Sequence, residues 1–172
     1  MSAHASVNAK RINHVSIPCR DLDESERFYR EVFGLERIPA PDFRRPVRWL
    51  QLGEHQLHLM QTPEQQPLPG QHFGFDVDDF ETAFVKLREL DALDGETHVH
   101  AVWELPDGAV QMYARDPAGN LIEINWPDVS TLDRDVVGDI PRRADDVQQS
   151  AEALTAKLYT KGGGQSDKRH AR

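Results

Sequence analysis

An internal repeat is the feature of this sequence that most limits how the chain can fold. With an offset of 58 residues, His14 aligns with His72 and Asp21 aligns with Asp79. The apolar positions after each aspartate also align, in the pairs Leu22 with Phe80, Tyr29 with Leu87 and Val32 with Leu90. Each half therefore opens with a histidine early in a strand, followed by an acidic helix start and matching core positions. The pattern predicts two copies of one structural module.

The closing strands of the two halves align with a larger offset of 65 residues, because the second half has longer loops. There Leu57-His58-Leu59 aligns with Ile122-Glu123-Ile124. Strand side chains alternate between the two faces of a sheet, so His58 and Glu123 should each point away from the face of their apolar neighbours.

Alternation and turn signals predict the same order of elements in both halves, and this order indicates an α+β fold. The first half should contain strands over Ile12–Pro18, Glu36–Ile38, Arg48–Leu52 and Gln56–Met60, with a helix that starts at Asp21 and ends at Gly34. The second half should contain strands over Gln71–Val77, Val99–Glu104, Ala109–Ala114 and Asn120–Trp126, with a helix over Asp79–Leu90.

Changes in composition along the sequence also predict where the modules begin and end. We expect a flexible arm over residues 1–10, one domain over 11–128 with modules at about 11–62 and 70–128, and a C-terminal extension over 129–172. Apolar residues at helical spacing predict a helix at about 141–159 in the extension, and the polar remainder should be disordered.

Charge and cysteine content exclude several classes of function. Twenty basic and 29 acidic residues give a net charge of -9, which offers no general surface for nucleic acid or anionic lipid. The lone Cys19 excludes an intrachain disulfide and a thiolate-rich zinc site. Without an apolar run that could span a membrane or a signal-peptide core, we expect a cytoplasmic protein.

Four side chains at equivalent strand positions suggest a metal site. A duplicated fold related by a pseudo-twofold axis would bring His14, His58, His72 and Glu123 toward one point. Three imidazoles and one carboxylate suit Zn, Fe(II), Ni or Mn. Taken one at a time, each of these residues could equally be an ordinary polar strand residue. His98 and His100, two positions apart, could form a weaker metal site.

Three stretches of the chain resemble the vicinal oxygen chelate superfamily, which includes glyoxalases, bleomycin-resistance proteins and extradiol dioxygenases. They are INHVSIPCRDLDESERFYREVFGL, GQHFGFDVDD and YARDPAGNLIEINWPD, of which the last is the most specific. The resemblance implies paired βαβββ modules that form a curved mixed sheet around a divalent metal.

The resemblance also assigns site residues. It implies that His14, His72 and Glu123 are metal ligands, whereas His58 stands where many glyoxalases have a glutamate that helps to move the substrate proton. His58 would then be a fourth ligand or a base. Tyr113 stands where several relatives place a phenol near the metal, although it could equally be a tyrosine that packs on the sheet.

Three functions follow from this resemblance. The first is a glyoxalase-type lyase or isomerase whose small substrate chelates the metal through two oxygens and undergoes proton transfer. The second is an Fe(II) extradiol ring-cleaving dioxygenase, with His58 or Tyr113 as acid or base. The third is a binding protein that sequesters a drug or metabolite without chemistry, although such relatives generally lack the full ligand set. We also expect a homodimer.

Overall fold

The structure, a computed structural model, describes residues 9–159, which fold into two compact units. Unit 1 takes the chain up to Leu68 together with Pro117–Asn120. Unit 2 takes Pro69–Asp116 and the chain from Leu121 onward. No helix among residues 9–159 is both long and apolar enough to span a membrane. Most of the arm over 1–10 and the remainder of the extension after Tyr159 lie outside the described residues.

Unit 1 is a four-stranded mixed sheet with one helix on it. Its elements are β1 (His14–Cys19), α1 (Leu22–Phe33), β2 (Glu36–Ile38), β3 (Val47–Leu52) and β4 (His55–Gln61). The strand order is β1-β4-β3-β2, with β1 parallel to β4 and the other pairs antiparallel. Strand β4, which carries His58, therefore lies between two other strands.

Helix α1 forms where the sequence predicts because both of its ends are capped. The Asp21 carboxylate accepts hydrogen bonds from the backbone amides of Asp23 and Glu24 at 2.8 and 2.9 Å. Gly34 ends the helix with a left-handed φ of 67°, a conformation that glycine adopts without steric cost. The helix packs on β3 and β4, and its buried side chains include Tyr29 and Val32.

Unit 2 repeats this topology. Its sheet consists of β5 (His72–Asp76), β6 (Val102–Glu104), β7 (Val110–Arg115) and β8 (Leu121–Trp126), and α2 (Phe80–Glu89) packs on it. The strand order is β5-β8-β7-β6, with β5 parallel to β8. The prediction of an α+β fold built from two βαβββ modules is confirmed.

The strand register also agrees with the two offsets of the repeat. His58 lies opposite Ser16 in unit 1, and Glu123 lies opposite Gly74 in unit 2. Ser16 and Gly74 are themselves 58 positions apart, so His58 and Glu123 occupy the same place in the two modules. The apolar neighbours on the two strands, Leu57, Leu59, Ile122 and Ile124, have no exposed surface.

Two predicted elements differ from the structure. The strand expected from Val99 starts only at Val102, because residues 94–101 form a turn-rich loop in which Val99 has a φ of 74°. The helix expected over 141–159 is instead one helical turn, α4 (Arg143–Asp146), and one 3-10 turn (Ala153–Thr155).

The C-terminal segment follows the sheet of unit 2 rather than continuing as a helix. The Glu104 amide donates a hydrogen bond of 2.9 Å to the Pro141 carbonyl, and α4 ends at Val147 in an extended conformation. Val147 and Leu154, two of the apolar residues at helical spacing in this part of the sequence, are 52% and 55% exposed. Two further short turns precede this segment: a 3-10 turn (Val129–Thr131) and α3 (Arg134–Val137).

Candidate functional site

In unit 1, His58 is clamped between two other rings. The Trp49 and His58 rings stack with centroids 4.2 Å apart and an interplanar angle of 5°. On its other side, His58 stacks with His14 at 4.3 Å and 16°. Trp49 lies opposite His58 in the antiparallel pair of β3 and β4, and this register places the two rings on one face of the sheet. The clamp fixes the plane of the His58 ring.

Hydrogen bonds fix one nitrogen of each imidazole in this stack. His58 Nε2 lies 2.9 Å from Gln56 Oε1, and His14 Nδ1 pairs with Asn13 Oδ1. When each amide oxygen accepts, the free lone pairs are on His58 Nδ1 and His14 Nε2. Burial, and then the charge of His14, hold the pKa of His58 below its ordinary value. The stack lines a cavity of about 510 Å³, to which Ser16, Phe43 and Met60 also contribute.

The stack limits how the two histidines can share a metal. An imidazole binds a metal through a nitrogen lone pair in the plane of the ring, at roughly 2.0–2.1 Å for zinc. Two stacked, nearly parallel rings direct their lone pairs along separate planes. This arrangement favours one histidine of the pair, rather than both, as a metal ligand.

In unit 2, a histidine and a carboxylate meet on the equivalent face. His72 Nε2 lies 3.3 Å from Glu123 Oε2, and the Glu123 side chain is 7% exposed. His72 Nδ1 lies 2.9 Å from the Gly70 carbonyl, so Nδ1 donates, and in the neutral imidazole Nε2 carries the lone pair. Metal-ligating histidines are commonly held in this way, with the second ring nitrogen bound to a carbonyl.

Gly74 leaves the space that the Glu123 carboxylate occupies. A Cβ at position 74 would lie 3.3 Å from Glu123 Oε1 and 3.0 Å from Asn125 Nδ2. Both distances are shorter than ordinary contacts, so a side chain there would displace the carboxylate or the amide. Asn125 is 7% exposed, and its Oδ1 has no hydrogen-bond partner among the described residues. Neither Gly74 nor Asn125 is among the site residues predicted from the sequence.

Tyr113 lies directly across from Glu123 in the antiparallel pair of β7 and β8. Burial, and then the charge of Glu123 and a hydrogen bond to it, hold the pKa of the Tyr113 hydroxyl well above its ordinary value. The hydroxyl also lies 3.3 Å from Gln111 Oε1. Tyr113 is therefore a protonated donor beside the Glu123 carboxylate.

His98 joins the group in unit 2, although the repeat gives no sign of it. Its ring centroid lies 4.2 Å from that of Tyr113 and 6.2 Å from that of His72. His98 Nε2 is buried and has no hydrogen-bond partner among residues 9–159. Burial, and then the charge of His72, lower the pKa of His98. The sequence suggested a weak metal site with His100, but the His100 ring instead packs against Trp103.

The predicted ligands are thus found as two pairs, His14 with His58 in unit 1 and His72 with Glu123 in unit 2. Across residues 9–159, no group of three or more His, Cys, Asp or Glu side chains is arranged so that it could hold a metal ion. The donor chemistry nevertheless suits a divalent metal, because His14 Nε2, His72 Nε2 and Glu123 all present free lone pairs. That all four predicted residues form one metal site stays a prediction.

A family model for the Glyoxalase/Bleomycin resistance protein/Dioxygenase superfamily matches residues 11–124. The chain belongs to this superfamily. It is 32% identical over 125 residues to Glyoxylase I 4 of Arabidopsis thaliana, covering 66% of this chain and 68% of the relative. It is 25% identical over 130 residues to the mitochondrial methylmalonyl-CoA epimerase of Mus musculus, covering 66% and 71%.

The fold agrees with that of a solved member of the glyoxalase superfamily. The crystal structure of lactoylglutathione lyase from Agrobacterium tumefaciens superposes with a TM-score of 0.53 at 26% identity, covering 69% of this chain and 94% of that one. Members of the superfamily typically bind a divalent metal and act on small molecules. The superfamily match ends at residue 124, so the segment that carries α4 and Tyr159 lies outside it.

Proposed function

We propose that the chain is a metal-dependent enzyme of the glyoxalase type. It would act on a small substrate that chelates the metal through two oxygens, by proton transfer in a lyase or isomerase reaction. The observation that carries the proposal is the His72–Glu123 pair, with Nε2 and Oε2 3.3 Å apart. Glu123 is buried on a central strand, beside a glycine that leaves room for its carboxylate.

His14, His72 and Glu123 would hold the metal, which we expect to be Zn, Fe(II), Ni or Mn. Bound there, the metal would polarise a substrate oxygen and stabilise negative charge. The donor set supports this assignment, since two imidazoles and one carboxylate leave coordination positions open for substrate.

We assign the role of base to His58 rather than a role as fourth ligand. Its ring plane is fixed by the stack with Trp49 and His14, and Gln56 occupies its Nε2. Nδ1 is then the atom that would take a proton from the substrate carbon and return it to the neighbouring position. An imidazole can do this at neutral pH, as the glutamate of many glyoxalases does.

When substrate binds, Tyr113 would turn its hydroxyl hydrogen from Glu123 or Gln111 to a substrate oxygen. The hydroxyl is held in its protonated form by burial and by the neighbouring Glu123. A donor fixed before the reaction stabilises an oxygen on which negative charge develops.

Metal analysis of the purified full chain tests the proposal. We expect about one Zn, Fe, Ni or Mn per chain in the wild type, and a loss of more than tenfold in metal affinity in Glu123→Gln and His72→Ala. His55→Ala is the matched control, because His55 is exposed and lies outside both pairs. A chain that binds no divalent metal, even after reconstitution, would contradict the proposal and favour a binding protein without chemistry.

Activity assays on the metal-loaded chain distinguish the two enzyme classes. α-Oxoaldehyde thiol adducts should be converted without oxygen uptake, and His58→Gln should lose at least a hundredfold in kcat while retaining metal. Oxygen consumption with catechols and Fe(II) would instead identify a ring-cleaving dioxygenase.

A further inference from the structure

The segment after β8 is attached to one edge of the unit 2 sheet. Beside the backbone bond between Glu104 and Pro141, Arg142 Nε lies 3.4 Å from Glu104 Oε1. The guanidinium carbon of Arg143 lies 3.6 Å from the centroid of the Trp103 ring. Both contacts are made with β6, the outer strand on this side of the sheet.

The end of the segment is attached to the opposite edge. The Tyr159 hydroxyl donates a hydrogen bond of 2.8 Å to Asp76 Oδ1, whereas the preceding Leu158 amide donates one of 3.1 Å to Asp107 Oδ2 in the turn between β6 and β7. Asp76 is the last residue of β5, the other outer strand. Residues 143–159 therefore run from one outer strand of unit 2 to the other.

The two attachment points are the ends of a single row of side chains. The strand register pairs Asp76 with Asn125, Asn125 with Gln111, and Gln111 with Trp103. Directly opposite residues point to the same face, so all four share the face that carries Glu123. The adjacent row on that face contains Gly74, Glu123 and Tyr113, at a spacing of roughly 7 Å along the strands.

The surroundings of Tyr159 agree with this position. Burial and the hydrogen bond to Asp76 raise the pKa of its hydroxyl, and the charge of Glu123 is a further cause. The row between the attachment points includes Asn125, whose buried Oδ1 has no partner among the described residues. An enclosed substrate could satisfy that oxygen with a hydroxyl or amine hydrogen.

We propose that residues 143–159 form a strap that closes one end of the substrate-binding face of unit 2, with Tyr159 docked on Asp76 as the residue that limits substrate size. The proposal rests on the proposed function for the identity of that face. It assigns to the C-terminal extension a role in selecting small substrates. Such a substrate would carry a hydroxyl or amine that donates to Asn125 Oδ1.

Hydrogen exchange on the full chain tests whether the strap is docked. The Leu158 amide donates to Asp107 Oδ2, and we expect it to exchange at least tenfold faster in Asp76→Ala, because loss of the Tyr159 anchor releases the adjacent residue. Asp76→Asn, which retains an acceptor for the Tyr159 hydroxyl, should stay close to the wild type. Asp78→Ala is the matched control, because Asp78 is exposed and two positions away. An unprotected Leu158 amide in the wild type would overturn the proposal.

Thiol labelling tests the size limit without a substrate. A Gln111→Cys variant places a thiol in the row between the two attachment points, and the buried Cys19 is the background measured in the parent chain. In the Gln111→Cys, Tyr159→Ala double variant, labelling by a bulky fluorescent maleimide should accelerate at least fivefold more than labelling by N-ethylmaleimide. Equal acceleration, or none, would overturn the strap whether or not the chain proves to be an enzyme.

Substrate profiles then join the two proposals. If the proposed function holds, Tyr159→Ala should raise kcat/KM for bulky α-oxoaldehyde thiol adducts at least tenfold relative to small ones. An active enzyme with an unchanged ratio would overturn the strap alone. A chain without metal or activity would contradict the proposed function, while the labelling result still decides the strap.

Discussion

At the scale of single residues, Glu123 depends on the residue that faces it. Gly74 does not have a positive φ and does not lie in a turn. What glycine provides at this position is the absence of a side chain, which leaves room for Glu123 and Asn125. In a strand interior, glycine ordinarily costs about 0.5–1 kcal/mol relative to alanine. Because a Cβ here would press on the Glu123 carboxylate, the glycine favours the observed position of that carboxylate.

Replacing Gly74 with alanine should therefore weaken metal binding far more than folding. We expect a loss of about 10–100-fold in metal affinity, because the new Cβ displaces Glu123 or Asn125. Metal titration and thermal unfolding of the same samples measure the two effects. Gly95→Ala is the control, since a Cβ there has no neighbour closer than 3.9 Å. Equal metal affinity in the two variants would show that Glu123 is not a ligand.

Tyr113→Phe separates binding from catalysis. Removing the hydroxyl should lower kcat about 100-fold, as expected for a donor to a developing oxyanion, and leave the metal content unchanged. Steady-state kinetics with metal analysis make the comparison. Tyr29→Phe, which changes a buried tyrosine on α1, should retain kcat. A Tyr113→Phe enzyme with wild-type kcat would reduce Tyr113 to a packing residue.

At the scale of elements, the two helices begin in the same way. Asp79 accepts hydrogen bonds from the Thr82 amide and hydroxyl at 2.8 and 2.7 Å, as the Asp21 carboxylate caps α1. Asp79→Ala should cost about 1 kcal/mol of unfolding free energy, the usual cost of losing an N-cap. Urea unfolding measures this loss. Asp78→Ala should cost less than half as much, and equal costs would contradict a capping role.

The loop before β6 is held by a buried carboxylate. Asp94 accepts hydrogen bonds from the Thr97 amide and hydroxyl, and its Oδ2 lies 2.6 Å from Arg115 Nε. Burial alone would raise the pKa of Asp94, but these bonds outweigh it and lower the pKa below 3.8. The stability that ionised Asp94 contributes is therefore present above about pH 4 and is lost as the pH falls through the lowered pKa.

Asp94→Asn should accordingly destabilise the protein in a pH-dependent way. We expect a loss of about 2 kcal/mol at pH 7, typical of hydrogen bonds to a charged group, which shrinks as the pH is lowered below 4. Urea unfolding at pH 7 and pH 3 measures the two values. Asp78→Asn is the control. A loss of the same size at both values would show that the charge of Asp94 is not involved.

The elements that the sequence predicted best are those set by interactions between residues close together in the chain. Asp21, Asp79 and Gly34 cap helices through local hydrogen bonds and φ preferences, so the helix ends are close to the predicted ones. The prediction of a helix over 141–159 was wrong for the opposite reason. Its spacing of apolar residues is helical, but contacts with Glu104, Asp107 and Asp76, distant in sequence, decide the conformation.

At the scale of the whole molecule, the duplication distributes the proposed ligands over both halves of the chain. A metal bound by His14, His72 and Glu123 would stabilise the folded protein by about 2.7 kcal/mol at a free concentration 100 times Kd. For a chain of this size, we expect a rise in Tm of about 5–10 °C. Calorimetry with and without chelator measures it, and Glu123→Gln should abolish it. An equal rise in that variant would indicate binding elsewhere.

For the candidate site too, the sequence could predict some residues and not others. The repeat singled out His14, His58, His72 and Glu123 as candidates, because duplication preserves strand positions and side-chain alternation, and their role in one site stays a prediction. It could not identify His98, which lies in the loop that makes the second half longer. Nor could it identify the stack on His58 or the docking of Tyr159, since both depend on which residues face each other across strands.

Val99, a β-branched residue with a φ of 74°, has a consequence for engineering the protein. Such a backbone costs on the order of 1–3 kcal/mol and persists only where its surroundings impose it. Here Trp103 Nε1 donates a hydrogen bond to the backbone carbonyl of His98, the residue before Val99. A glycine at position 99 should raise the melting temperature while giving the neighbouring imidazole more freedom. Selection for heat resistance alone would then reach this loop early and loosen the position of His98.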